Sequence, residues 1–290
     1  MKNMKIWMNG RLVDTKDAKV SVFDRGFLYG DGVFETMRCY AGRVFRLDAH
    51  LSRLFASLEM IKMRPPYGKR CLKDAIYGCL EANALNGAYI RLQITRGKGI
   101  VGLFKRGPML PTVVIMSKKF EDYTERMRKR GLSARVAGLR QNEYSPLSRI
   151  KSLSFLNHIL ARLSAQADGF DEAILMNTKG RIAEAATSNI FLTKKNTVIT
   201  PGLDSGILPG ITRGVVIEIA KALKLKVREK AVSYKEMISA DEVFLTNSLA
   251  EVLPVTKVDS AKIGSGRPGS LTKLIHISYQ KQVIRESLDG

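Results

Sequence analysis

A chain of 290 residues, 45% of them hydrophobic, is long enough to bury a substantial core as one large or two ordinary domains. No apolar run is long enough to cross a bilayer, and the N-terminus lacks the charged-then-apolar layout of a signal peptide, so a cytoplasmic protein is expected. The formal net charge of +21 admits nucleic-acid binding through phosphate neutralisation. The basic residues are spread along the whole chain, however, and cluster only at Arg126, Arg128, Lys129 and Arg130, with no zinc-finger spacing or basic-region heptad. A solvated basic surface that helps to attract anionic substrates is the simpler reading.

In chain order, Lys5-Ile6-Trp7-Met8 reads as a strand and Asn9-Gly10 as a two-residue hairpin turn. Val33 to Tyr40 is a second strand, turning at Ala41-Gly42 into Val44-Phe45-Arg46. Leu51, Leu54, Phe55 and Leu58 recur at helical spacing and predict an amphipathic helix over 48–62; Leu72, Ala75, Ile76, Cys79 and Leu80 predict another. Strands at Tyr89 to Thr95 and Thr112 to Met116 complete a compact α+β unit ending near residue 119.

A charged helix at Glu121 to Arg130 follows, then a strand near 132–137, an irregular segment and a helix beginning around Lys151. Strands near 172–176, 190–193 and 198–200, a helix from Ile211 to about Leu223, strands at 242–246 and 252–258, and a final helix from Pro268 make a second, α/β-type domain over 120–290. Cys39, Cys71 and Cys79 are odd in number, lie in predicted strand or helix and lack metal-ligand spacing, which predicts reduced, buried thiols. His50, His158 and His276 are too scattered for a metal centre, and none is expected.

Gly97-Lys98-Gly99-Ile100-Val101-Gly102 matches a dinucleotide fingerprint, but Gly107, Pro108 and Pro111 break the chain where that fingerprint needs a helix, so a loop is expected. Four other stretches point to one chemistry. Lys151 stands where a helix with the apolar stripe Leu156, Ile159, Leu160 and Leu163 emerges from an irregular segment. A lysine with a lowered pKa is a usable nucleophile and base, although most lysines are solvated surface groups. Glu184, in Arg181-Ile182-Ala183-Glu184-Ala185-Ala186-Thr187-Ser188-Asn189, could be an ordinary strand or loop acid, or could keep a pyridinium nitrogen protonated. Gly210-Ile211-Thr212 could be merely a capped helix start, or could offer free N–H groups and a hydroxyl to a phosphate dianion. Arg53, on the more polar side of the first helix, could be a surface arginine or a forked phosphate ligand.

These motifs, in this order and over nearly the whole chain, closely resemble the class IV aminotransferases, fold type IV enzymes of pyridoxal 5'-phosphate. Asp24-Arg25-Gly26-Phe27-Leu28-Tyr29-Gly30-Asp31-Gly32-Val33-Phe34-Glu35-Thr36 resembles their first-domain signature. The resemblance implies a small α+β domain (1–119), a larger domain (120–290) carrying the cofactor-bearing lysine, and an active site in the cleft between them. It implies that Lys151 bears the cofactor and moves the proton, that Glu184 serves the ring nitrogen, and that Arg53, Ile211, Thr212 and Ser248 hold the phosphate. A homodimer that binds amino acids and 2-oxo acids, not nucleic acid or membrane, is expected on the same ground.

The family holds branched-chain aminotransferases, D-amino acid aminotransferases and aminodeoxychorismate lyases. Tyr29, Phe34, Arg38, Tyr89 and Arg91 resemble the substrate pocket of the first; Phe34 stands where the second usually has tyrosine, while Thr95-Arg96-Gly97 resembles its carboxylate-binding arginine segment. Thr36 resembles the proton-relaying threonine of the lyase, Asn247 and Leu249 in Thr246-Asn247-Ser248-Leu249 resemble its loop, and Phe155 replaces a branched-chain tyrosine. The expected function is therefore transfer of an amino group between a branched-chain L-amino acid and 2-oxoglutarate. The alternatives are release of p-aminobenzoate and pyruvate from aminodeoxychorismate, D-amino acid transamination and, more remotely, a non-enzymatic nucleic-acid-binding protein.

Overall fold

The computed structural model describes residues 4–99, 102–103, 109–122 and 124–288, and the chain separates into two compact units. The first runs to Glu121 and adds Ile150–Ser154 and the chain's end from Ile284; the second comprises Asp122–Arg149 and Phe155–Val283. The lysine segment thus clusters with the first unit, whereas the sequence had placed it in a domain over 120–290.

In the first unit the order is β1 (Lys5–Met8), β2 (Arg11–Asp14), α1 (Arg25–Tyr29), β3 (Gly32–Tyr40), β4 (Arg43–Val44), α2 (Leu47–Met60), α3 (Lys69–Ala82), β5 (Ala88–Lys98) and β6 (Leu110–Lys119). The strands form one antiparallel sheet in the order β2-β1-β6-β5-β3-β4. Asn9 and Gly10, with φ of 48° and 98°, make the tight turn that their sequence predicts, because both central residues of such a turn need positive φ. One sheet face is the core: Val33, Met37, Ile90, Leu92 and Ile94 pack with Leu51, Leu54 and Leu58 of α2 and Leu72 and Ile76 of α3. Each such fully buried aliphatic side chain contributes roughly 1.5–3 kcal/mol.

The second unit contains α4 (Glu125–Arg130), β7 (Leu132–Gln141), α5 (Leu156–Ala167), β8 (Glu172–Asn177), β9 (Ile182–Ala185), β10 (Asn189–Lys194) and β11 (Thr197–Thr200). After these come α6 (Ile211–Ala222), β12 (Lys226–Glu229), α7 (Tyr234–Ile238), β13 (Glu242–Asn247), β14 (Glu251–Val258), β15 (Ala261–Lys262) and α8 (Ser270–Leu288). Its sheet is mixed, in the order β12-β11-β10-β13-β14-β7-β8-β9, with β15 paired to β14. Helix α6 is the crossover that lets β12 run parallel to β11.

Two expectations, the helix start near Lys151 and the burial of all three thiols, are corrected, and the stripe after Lys151 is found on an outer face. The helix after the lysine starts at Leu156, not near Lys151, because Ile150–Ser154 is extended and pairs with β3: Phe34 N donates to Lys151 O at 2.9 Å and Leu153 N to Gly32 O at 2.9 Å. The apolar stripe of α5 does not face the core. Ala161 and Ala165 do, while Leu156, Ile159, Leu160 and Leu163 are 64%, 46%, 48% and 55% exposed. Cys39 and Cys79 are buried free thiols, but Cys71 is exposed.

The dinucleotide look-alike opens no helix among the described residues. Gly97 lies in β5 at φ +80°, at a register shift where a Cβ would come within 1.6 Å of Leu110 O. Ile100, Val101, Gly107 and Pro108 lie outside the described residues. Among the described residues no group of histidines, cysteines and carboxylates could hold a metal ion, and no helix is long and apolar enough to cross a membrane.

Candidate functional site

In the first unit, strand alternation puts Phe34, Thr36 and Arg38 on the sheet face opposite the core. The register Phe34↔Gln93, Thr36↔Arg91 and Arg38↔Tyr89 adds three neighbours from β5 to that face. Arg91 lies 3.9 Å from the Phe34 ring centroid and donates Nε to Gln93 Oε1 at 3.1 Å. Lys151 Nζ stands 4.6 Å from the same ring centroid. Lys151, Phe34 and Arg91 are therefore brought together, with Thr36 beside them. Arg38 stacks on Tyr40 and Phe120 at 4.4 and 3.9 Å, and Lys118 lies 5.2 Å from the Tyr89 ring. At the end of α1 the Tyr29 hydroxyl accepts from Gly102 N at 2.9 Å, and Arg25 covers its ring at 4.8 Å.

Arg96 is engaged elsewhere. Its guanidinium binds Asp31 Oδ2 at 2.8 Å, Ile61 O at 2.8 Å and Lys62 O at 3.3 Å, tying β5 to the segment before β3 and to the end of α2. These bonds engage Nε and both terminal nitrogens, so Arg96 clamps these segments together.

On the core face, β3 delivers a carboxylate that the sequence reading passed over. Glu35 is fully buried and accepts from Arg53 Nε at 2.7 Å, Arg53 Nη2 at 2.7 Å and His50 Nδ1 at 2.8 Å. His50 and Arg53 reach it from one side of α2, three residues apart. Burial pushes the Glu35 carboxyl up, but the Arg53 charge and the His50 hydrogen bond outweigh it and bring the pKa to about 2. Burial holds His50 below its ordinary value against the pull of Glu35, with Arg53 and Lys151 adding repulsion. Arg53 is no surface residue, since its side chain is only 10% exposed. The signal was present in the sequence: Glu35 alternates with Val33 and Met37 in an inward-facing pattern, and an inward charge demands partners.

In the second unit, β9 buries Glu184. Its Oε2 accepts from Asn189 Nδ2 at 3.2 Å and Leu208 N at 3.1 Å, while its Oε1 lies 3.8 Å from His158 Nε2. His158 stacks on Phe155, centroids 4.6 Å apart and planes within 5°. Asn189 also donates to Leu208 O at 2.9 Å, which couples Glu184 to the segment leading into α6. Asn189 stood inside the quoted Glu184 motif and His158 eight residues past Ile150, yet no spacing in the chain pointed to either contact.

Helix α6 opens at Ile211 behind Gly210, which supplies no side-chain cap, and Thr212 is buried in its first turn. A Cβ on Gly210 would meet Asn189 Oδ1 at 1.9 Å, so only glycine lets the chain pass there. Thr246, the cross-strand partner of Asn189, has a buried Oγ1 with no hydrogen-bond partner among the described residues. The loop after it is braced by Asn247, whose Oδ1 accepts from Leu249 N at 3.0 Å and Ala250 N at 2.7 Å and whose Nδ2 donates to Ser188 Oγ at 2.9 Å. Ser248 and Leu249 are half-buried in that loop. An uncapped helix start and an unpartnered buried hydroxyl suit a phosphate, and a fixed, buried carboxylate suits a ring N–H, so these donors fit pyridoxal phosphate.

Comparison with known proteins agrees with this chemistry. Residues 32–258 match the profile of the family described as amino-transferase class IV. A Methanocaldococcus jannaschii protein provisionally named a branched-chain-amino-acid aminotransferase is 40% identical over 96% of each chain. The D-alanine aminotransferase of Bacillus licheniformis is 34% identical, covering 98% of this chain and 99% of its own. The aminodeoxychorismate lyase of Bacillus subtilis is also 34% identical, over 96% and 94%. The crystal structure of the Escherichia coli branched-chain amino acid aminotransferase superposes with a TM-score of 0.93 at 32% identity, covering 97% of this chain and 94% of that one. The branched-chain amino acid aminotransferase of Thermobaculum terrenum, solved in its PLP form, superposes with a TM-score of 0.88 at 29% identity, over 97% and 94%. The chain belongs to the class IV aminotransferases, the fold type IV enzymes that work with pyridoxal 5'-phosphate.

Proposed function

We propose that this class IV enzyme moves the amino group of a branched-chain L-amino acid to 2-oxoglutarate. The observation that carries the reading is the Phe34 ring, which has Lys151 at 4.6 Å and Arg91 at 3.9 Å, so that an apolar ring, the reactive amine and a guanidinium suited to a carboxylate stand together. When bound, pyridoxal phosphate supplies the carbon that takes up the amino group and a ring that accepts the electron pair left at the substrate Cα. Lys151 Nζ would bear the cofactor and, once freed, would serve as the base and acid that moves the substrate proton. Glu184 holds the proton on the ring nitrogen, kept in line by Asn189 and Leu208 N. Arg53, Thr212, Ser248 and the backbone at Ile211 would hold the phosphate. Arg38 and Arg91 receive substrate carboxylates, and Tyr29 and Tyr89 wall the pocket.

The braced amide of Asn247 favours transamination over the lyase reaction, because its donor and acceptor are both occupied in holding the loop. Thr36 keeps the lyase as the second reading, since it shares the Phe34 and Arg91 face where a relaying hydroxyl would be needed. The acids that pair with the basic cluster argue against nucleic acid: Arg128 meets Asp122, Lys129 meets Glu125 and Arg130 meets Asp171. Titrating the cofactor-loaded protein with single amino acids tests the reading. L-leucine, L-valine or L-glutamate should discharge the visible absorption of the bound cofactor, and 2-oxoglutarate should restore it. No response to L- or D-amino acids, with pyruvate released from aminodeoxychorismate, would move the chain to the lyase branch.

The protein is further proposed to work as a homodimer in the cytoplasm. The outward leucine and isoleucine stripe of α5 supports a covered face, since contiguous exposed aliphatic patches mark interaction surfaces. Light scattering should give about twice the 32.3 kDa chain mass, and Leu160→Glu should shift it toward one chain. A monomeric parent protein would remove the proposal.

A further inference from the structure

The structure assigns a positioning role to Glu35: it holds the Arg53 guanidinium in a single plane and direction before the cofactor phosphate arrives, with His50 bracing the carboxylate. This inference rests on the reading of Arg53 as a phosphate ligand.

The geometry is a side-on fork. Arg53 Nε and Nη2 lie on one edge of the guanidinium, and both reach Glu35, at 2.7 Å to Oε1 and 2.7 Å to Oε2. Two parallel bonds to a planar carboxylate remove rotation about the last torsions of the arginine side chain, which a single bond would leave free. Glu35 is itself immobile. It stands on β3 with its backbone in the sheet ladder opposite Leu92, none of its surface is exposed, and His50 Nδ1 closes on Oε2 at 2.8 Å from the neighbouring turn of α2. Burial holds His50 below its ordinary value, and because the ionised Glu35 oxygen can only accept, Nδ1 carries the hydrogen and donates it. The low pKa of the Glu35 carboxyl keeps it an acceptor across the working range.

A buried ion pair is a poor device for stability alone, because desolvating two charges offsets most of their attraction. It is a good device for orientation. Arginine has five N–H donors in a rigid fork, so fixing one edge fixes the direction of all of them. A phosphate that meets an already ordered guanidinium avoids the ordering loss that a mobile arginine would impose on binding. The alternative role for Glu35 is a plain counter-charge. That role predicts the opposite sign: removing the negative charge would strengthen attraction for a phosphate dianion.

The experiment measures the affinity of the full-length, cofactor-stripped chain for pyridoxal 5'-phosphate and for pyridoxal, which lacks the phosphate, and takes the ratio as phosphate preference. Glu35→Gln should lower that preference about tenfold while leaving the affinity for pyridoxal nearly unchanged. Arg53→Met should lower it at least as far, and the double variant should add nothing to Arg53→Met alone. A merely structural role would move both affinities together and leave the ratio unchanged, which overturns the inference; so does a raised preference in Glu35→Gln. If Glu35→Gln does not fold by circular dichroism, His50→Leu serves instead, because it leaves the Glu35–Arg53 pair but removes the brace. A lowered ratio with His50→Leu and recovery with His50→Asn, which can offer the same N–H, supports the inference, and an unchanged ratio overturns it. Loss of preference in Arg53→Met but not in Glu35→Gln defeats the Glu35 role alone. An unchanged ratio in Arg53→Met defeats the phosphate assignment of Arg53 and this inference with it.

Discussion

Lys151→Ala is expected to abolish transamination, with turnover reduced on the order of 10⁴-fold or more, since the proposed function has this one side chain both bear the cofactor and move the proton. The same variant should lose the visible absorption of the bound cofactor when passed through a desalting column. The fold should survive. The segment is held by its backbone, through Phe34 N to Lys151 O and Leu153 N to Gly32 O, and by the buried side chain of Ile150. An alanine at 151 leaves all three contacts in place, so a thermal melt within a few degrees of the parent is expected. A variant that keeps both absorbance and turnover would end the assignment, whatever happens to the melt.

Glu184→Gln is the second large effect. Glutamine has nearly the volume of glutamate and can still accept from Asn189 Nδ2 and Leu208 N, so the local geometry has a means of persisting. What it loses is the negative charge proposed to serve the ring nitrogen. Removing one preorganised charge from the place where charge develops lowers kcat by about 10²–10³-fold. Cofactor retention should change little, because the lysine bond and the phosphate contacts lie elsewhere. The split matters: kcat falls while the cofactor stays bound. Activity within threefold of the parent would mean that Glu184 merely anchors the chain before α6, through Leu208 N, and has no part at the ring.

The two units differ in how far local pattern could reveal them. Alternation along β3 and β5 and the 3.6-residue spacing in α2 and α3 are set by neighbours close in sequence, so the strands, helices and turns of the first unit were legible. Asn9-Gly10 and Ala41-Gly42 announced their hairpins because few other residues accept positive φ in succession. Short elements escaped. Helix α1 has five residues and β12 four, too few for a period to show, and they persist because Asp24 caps the one and β11 pairs the other.

The α5 stripe shows what pattern leaves open. Leucines at helical spacing say that one face is apolar, but which face meets the core depends on what lies opposite, and here the two small alanines let the helix approach β7 and β8. Lys151 was read correctly as the end of an irregular stretch and wrongly as a helix start, because its partner is β3, more than a hundred residues earlier.

The amino-acid sequence by itself determined the family and the cofactor, and it supplied the groups proposed for the site: an amine at 151, a carboxylate at 184, a glycine-led helix start at 210–212 and an arginine at 53. Only the tertiary structure decided what holds them. Arg53 and His50 on Glu35, Asn189 and Leu208 on Glu184, and Asp31 on Arg96 are contacts between elements distant or unrelated in local pattern. A reactive group can be recognised by its chemistry and the motif around it. The groups that orient it are chosen by distance in space, which no periodicity along the chain encodes.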